Sequence, residues 1–155
     1  MDLTGDRHQI DVNGGWHTAG VAVGAAKGIA PYDPKYQEQP VDRRGLEGMA
    51  EVLRQCDLPV MADETFLDAR DAQRAVRVRA CDLINIKPMT CGGMPAALAL
   101  NTVAGIAGVG CQRGTMVYSS VASAAGLHLA LALRNAATVE MRGPIMLAED
   151  VSGLL

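Results

Sequence analysis

The sequence predicts an α/β fold: an incomplete (β/α) barrel of TIM type, about six parallel strands alternating with helices. Three observations point there. Short apolar runs alternate with helix-period segments throughout the 155 residues, which implies parallel strands joined by right-handed crossovers. Hydrophobic residues make up 49% of the chain but aromatics only 3%, a composition suited to tightly packed α/β layers. Asp11, Glu38, Asp63 and Lys87 recur with gaps of 27, 25 and 24 residues, near the roughly 30 residues of one βα unit.

The elements follow in order. Residues 8–12 read as a strand, Asn13-Gly14-Gly15 as a turn, and 16–29 as an Ala/Gly-rich helix. After a loop at Tyr32-Asp33-Pro34 comes a strand over 36–39, stopped by Pro40. A helix over about 45–56 places Leu46, Met49, Ala50 and Leu53 on one stripe. Residues 59–63 form a strand. A helix over 68–79 buries Ala69, Ala72 and Val76, with Arg70, Arg74 and Arg77 on a solvated face. Leu83, Ile84 and Ile86 make an apolar strand that ends in Lys87 and Pro88. A helix over 95–107 carries Pro95 in its first turn, where proline is tolerated. A strand over 109–116, a helix over 120–133 and a strand over 138–141 complete the series, and no linker divides it.

An open doubly wound sheet and a curled barrel both fit this alternation. The acids decide between them. In a flat sheet Asp11 and Asp63, two strands apart, would stand near 10 Å from each other at about 4.8 Å per strand; in a barrel the strand tops surround one mouth. A flat binding module using the acids for Mg²⁺ and phosphate is the competing reading.

A net charge of −3 with no basic block excludes nucleic acid as an expected partner. No run reaches the roughly 18 apolar residues of a membrane span, since Gly126 and His128 interrupt the Ala-rich stretch after Ser119. The first residues lack the apolar core of a signal peptide. Cys56, Cys81, Cys91 and Cys111 are scattered, without metal-ligand spacing, and read as reduced thiols of a cytoplasmic protein. His128 reads as a core or near-core histidine. Gly108-Val-Gly110 precedes a strand and is no dinucleotide loop.

Alternation puts Leu83, Asn85 and Lys87 on one strand face, Gln9, Asp11 and Asn13 on another, and Met61 with Asp63 on a third. Three carboxylates suit Mg²⁺, a hard ion that keeps open positions. A lysine beside them is pulled two ways: carboxylates raise its pKa, while burial and metal charge lower it. Proton abstraction needs the second effect to win, down to about 7–8. Glu64 reads as a neighbour of the ligands or a helix N-terminal acid, and Asn13 and Gln39 as orienting or turn residues.

Asp11-Val-Asn13-Gly-Gly-Trp16, Glu38-Gln39-Pro40, Ala62-Asp63-Glu64 and Asn85-Ile-Lys87-x-x-x-Cys91-Gly92-Gly93 together resemble the enolase superfamily, in its muconate-lactonizing (muconate cycloisomerase) subgroup. The resemblance runs from about residue 8 to the C-terminus. It implies a modified barrel in which Asp11, Glu38 and Asp63 hold Mg²⁺, with Mn²⁺ as an alternative, and Lys87 is the acid or base. Asn13, Glu64, Asn85 and Arg142 would lie beside the ligands or face the substrate, a small carboxylate. Enolase-superfamily chemistry removes a proton α to a carboxylate through an enediolate. Its outcome would be cycloisomerisation, racemisation, epimerisation or dehydration, and a homo-oligomer is expected.

Three departures from the family pattern stand out. The N-terminal capping domain is not matched, nor are the first two barrel strands with their Lys-x-Lys pair. Lys27 and Lys35, the other lysines, do not stand in for it. Tyr118 stands where the family often has Glu, and Glu140-Met-Arg142 replaces acids common on the last strand of dipeptide epimerases. A full barrel takes roughly 250 residues, so a partial sequence is expected, or a metal-binding fragment that needs a partner chain.

Overall fold

A computed structural model describes residues 7–140 and 143–151. Six strands lie side by side in chain order: β1 (Gln9–Asp11), β2 (Tyr36–Glu38), β3 (Val60–Ala62), β4 (Leu83–Ile86), β5 (Gly110–Arg113) and β6 (Ala136–Val139). All five neighbouring pairs are parallel. The helices between them are α1 (Ala19–Ile29), α2 (Leu46–Gln55), α3 (Ala69–Val78), α4 (Pro88–Cys91), α5 (Met94–Ile106) and α6 (Ser120–Ala132). An order without reversal removes the doubly wound alternative, whose ligand crevice forms where strand order turns back.

Side-chain contacts across the sheet show its curl. Tyr36 Oη on β2 donates to Gln112 Oε1 on β5 at 2.6 Å, three strands away. In a flat sheet that separation would be about 14 Å. Thr138 Oγ1 donates to the same oxygen at 2.6 Å, so β2, β5 and β6 meet inside a part-barrel. The opposite face carries the main core. There Val60, Ala62, Ile84, Ile86 and Cys111 pack beneath Ala22, Met49, Val52, Ala72, Leu100 and Leu129 of the helices.

Capping residues set where helices begin. Thr18 accepts the Val21 N–H at 3.3 Å, Asp68 the Arg70 and Asp71 N–H groups at 2.7 and 3.0 Å, and Ser119 that of Ala122 at 3.3 Å. The first helix therefore starts at Ala19, later than its composition suggests, and Trp16 bridges to Val41 instead.

Other differences have local causes. The fifth strand stops at Arg113 because the chain passes Asn85 closely: a Cβ on Gly114 would lie 2.0 Å from Asn85 Oδ1. The sixth begins two residues early, where a bulge between Cys111 and Gln112 shifts the register. Pro88, read as a strand stop, also opens the short α4. His128 is exposed, contrary to expectation, because α6 buries the stripe Ser123, Gly126, Leu129 and Ala130. Among the described residues β1 and β6 each have one strand neighbour. No helix among them is long and apolar enough to cross a membrane.

Candidate active site

Parallel strands bring their carboxyl ends to one rim, and the singled-out residues sit there. Asp11 and Glu38 are register partners at the ends of β1 and β2. Asp63 and Lys87 follow the last residues of β3 and β4. Gln39 ties two of these ends together. Fully buried, with φ 40°, it accepts the Asp63 backbone N–H on Oε1 at 2.9 Å. Its Nε2 donates to the Val41 carbonyl at 2.9 Å and to Thr65 Oγ1 at 3.0 Å.

Each carboxylate has its own partner. Asp11 is exposed, and its Oδ1 accepts the Asn13 N–H at 2.9 Å. Asn13 itself adopts φ 47° and serves as the turn residue. Glu38, 5% exposed, accepts from Asn85 Nδ2 at 2.6 Å. Asp63, 6% exposed, is ion-paired through Oδ2 with Lys87 Nζ. Glu64 is half-buried, and its Oε2 has no hydrogen-bond partner among the described residues.

Electrostatics follow from this crowding. Burial pushes the Glu38 carboxyl up to about 7; the Asn85 hydrogen bond and Lys87 oppose the shift, while Asp63 and Asp11 add to it. Burial likewise raises Glu64. At Lys87 burial lowers the pKa, but the hydrogen bond and charge of Asp63, with Glu38 and Glu64, outweigh it. The group lies above the ordinary lysine value. The balance thus falls opposite to what proton abstraction requires, because Asp63 touches the ammonium directly.

As these side chains stand, no three Asp, Glu, His or Cys residues among the described residues are grouped closely enough to hold a metal ion. Local partners hold the three expected ligands: a turn N–H for Asp11, Asn85 for Glu38, Lys87 for Asp63. The donor chemistry still fits a hard divalent cation. Asp11 Oδ2, Glu38 Oε2 and Asp63 Oδ1 take no hydrogen bond from the described residues, and the charges of Asp63 and Asp11 add to burial in raising Glu38. Arg142 lies outside the described residues.

Sequence reasoning missed two residues inside the part-barrel and one behind the sheet. Tyr36 is two positions from Glu38 and so shares its face, a signal that strand alternation carries. Gln112 had no such flag. Arg113, a cation in a short strand run, was readable as unusual but belongs to the helix side of the sheet.

The family model for enolase C-terminal domain-like proteins matches residues 2–153. N-succinyl-L-Arg/Lys racemase of Bacillus cereus is 36% identical over 146 residues, covering 94% of this chain and 40% of that protein. Its crystal structure superimposes with a TM-score of 0.91, covering 96% of this chain and 41% of that one. Dipeptide epimerase of Enterococcus faecalis, complexed with Mg and the dipeptide L-Leu-L-Tyr, gives a TM-score of 0.84 at 38% identity, over 87% of this chain and 38% of that one. Muconate cycloisomerase 1 of Rhodococcus opacus is 31% identical over 144 residues, covering 92% of this chain and 38% of that protein. The chain thus spans about 40% of the length of the curated relatives it matches.

Proposed function

Because this chain belongs to the enolase C-terminal domain-like family, we propose that it carries part of a cytoplasmic, Mg²⁺-dependent active site that removes a proton α to a carboxylate. The observation that carries this reading is the Lys87–Asp63 ion pair at the rim, with Glu38 buried beside it. Asp11, Glu38 and Asp63 would hold Mg²⁺, or Mn²⁺ in its place. When bound, the ion supplies Lewis-acid stabilisation of the negative charge that builds on the substrate as the proton leaves.

Lys87 does the proton work. The Asp63 pairing keeps Nζ an ammonium in the metal-free protein. With the cation's charge beside it to lower its pKa, Nζ would take the α-proton as a free amine and return one as an ammonium. Asp63 holds the ammonium in place, and Asn85 orients Glu38 through its carboxylate oxygen. Substrates would be small carboxylates; racemases and epimerases of N-acyl amino acids or dipeptides among the relatives favour that class. Racemisation needs acid/base groups on both faces of the α-carbon. Lys35 precedes β2 at its opposite end, and Lys27 lies in the last turn of α1. Both therefore lie away from the Lys87 rim, and among the described residues the lysines serve one face.

The test is α-proton exchange in D₂O with Mg²⁺ and N-succinyl amino acids or dipeptides, using the full gene product. Exchange should fall about 10²–10⁴-fold in Lys87→Ala. Undiminished exchange in that variant would remove Lys87 from the role.

The two sheet edges, β1 and β6, favour a second reading. Unpaired edge N–H and C=O groups seek a strand partner. Here the chain turns nothing over until further strands, from a second copy or another polypeptide, close the barrel. Native mass measurement separates the two: a monodisperse, active monomer contradicts the second, and an inactive species that gains activity on association supports it.

A further inference from the structure

We propose that a cavity among α4, α5 and α6 binds a small carboxylate carrying an apolar body, with Arg113 as its counter-charge. The cavity, open on one side, has a volume of about 320 Å³ and is lined by Pro88, Met89, Met94, Tyr118, Ala125 and Gly126 among others. That volume lies within the range of small-molecule pockets, about 300–1,000 Å³. The walls are apolar except for the Tyr118 hydroxyl. This space adjoins the rim, since Pro88 and Met89 follow Lys87 directly, but none of Asp11, Glu38, Asp63 and Lys87 lines it.

Arg113 stands directly behind that wall. Its Nη2 occupies the room over Gly126, where a Cβ would lie 1.4 Å away, and its Cζ is 5.5 Å from the Tyr118 ring centroid. The residue is fully buried. Among the described residues it has no carboxylate partner, and Nε and Nη2 have no hydrogen bond at all. One contact is polar: Nη1 donates to the Glu140 carbonyl at 3.4 Å. Glu140 itself shares the inward face with Thr138, so its carboxylate turns away from Arg113.

A guanidinium taken out of water is costly unless paired and hydrogen-bonded. A tyrosine face and one long carbonyl contact offset only part of that cost. Nε and Nη2, unbonded among the described residues, are the two donors of one guanidinium edge, the pair that a carboxylate takes as a fork once it passes the thin wall at Gly126. Glycine at position 126 makes the arrangement, since any side chain there would drive the guanidinium out. A buried, uncompensated cation beside an empty-walled apolar cavity calls for an anion with a hydrophobic body.

The test uses octanoate and its neutral twin octanol, with the chain in EDTA so that a metal-held carboxylate cannot contribute. Octanoate should bind saturably, at least about tenfold tighter than octanol, with nuclear Overhauser contacts to the Met89 and Met94 methyls and the Tyr118 ring. Arg113→Met should abolish the preference for octanoate, and Arg113→Lys, which keeps the charge but loses the fork, should keep only part of it. Ala125→Leu, which fills the cavity and leaves Arg113 in place, should abolish binding of both. Lys87→Ala should leave octanoate binding unchanged. Equal binding of acid and alcohol, no binding of either, contacts elsewhere, or loss on Lys87→Ala would each overturn the proposal. Should Arg113→Met fail to fold, the Ala125→Leu and Lys87→Ala results decide alone. None of these readouts depends on proton exchange, so this site and the rim site can fail separately.

Discussion

Asn85 Nδ2 and Glu38 Oε1 lie 2.6 Å apart although their strands, β4 and β2, are not neighbours. The bond reaches across β3 only because the sheet is curled. It also opposes the upward pull of burial on Glu38. Removing it by Asn85→Ala should raise the Glu38 pKa further and destabilise the fold by about 1–3 kcal/mol. Gly114→Ala should act alike, since its Cβ would come 2.0 Å from Asn85 Oδ1 and displace that side chain. A carboxyl-carbon NMR titration checks both variants. A Glu38 titration unchanged in Gly114→Ala would show that the asparagine does not set it.

Glu38 also makes stability depend on pH. Its folded pKa, about 7, stands above the ordinary glutamate value of 4.5, so between those values the folded state binds more protons than the unfolded one. Stability of the metal-free protein should therefore fall as pH rises from about 4.5 to about 7, by on the order of 2–3 kcal/mol, and level off above. Urea unfolding across that range measures the slope. Glu38→Gln should flatten it. Mg²⁺, if bound by ionised Glu38, should restore stability most at the upper end.

Gln39 acts through the backbone of its neighbours. Its amide oxygen holds the Asp63 N–H at 2.9 Å and its amide nitrogen the Val41 carbonyl at 2.9 Å. Gln39→Ala should cost about 2–3 kcal/mol, because buried polar groups on both sides lose their partner. Gln39→Glu keeps the shape but turns a donor into an acceptor opposite Val41, and should cost at least as much. Urea midpoints test the pair; wild-type stability in Gln39→Glu would mean that the donor side carries nothing.

The four cysteines should differ in reactivity. All are free thiols, three buried and Cys56 half-buried. Burial pushes the Cys81 thiol up to about 12 and also raises Cys56, Cys91 and Cys111. At pH 8 an aromatic disulfide reagent should label Cys56 first, and the others only at the rate of opening or unfolding. Rapid native-state labelling of Cys81 would contradict this packing.

The sequence by itself determined the alternation, the strand count and which residues stand at the strand ends. Those follow from local chemistry: runs of β-branched and apolar residues, helix stripes such as Leu46, Met49 and Ala50, and punctuation by Pro40 and Pro88. It also carried the face shared by Asn85 and Lys87, because strand alternation is a property of the backbone. Only the tertiary structure decided who touches whom. Asn85 meets Glu38 across 47 residues, and Tyr36 meets Gln112 across 76. Those distances close through the curl of the sheet, which no local window contains. The raised pKa of Lys87 and the buried Arg113, without a carboxylate partner among the described residues, belong to the same class. Each is set by which charges burial brings near a group, and burial is a property of the whole packed chain.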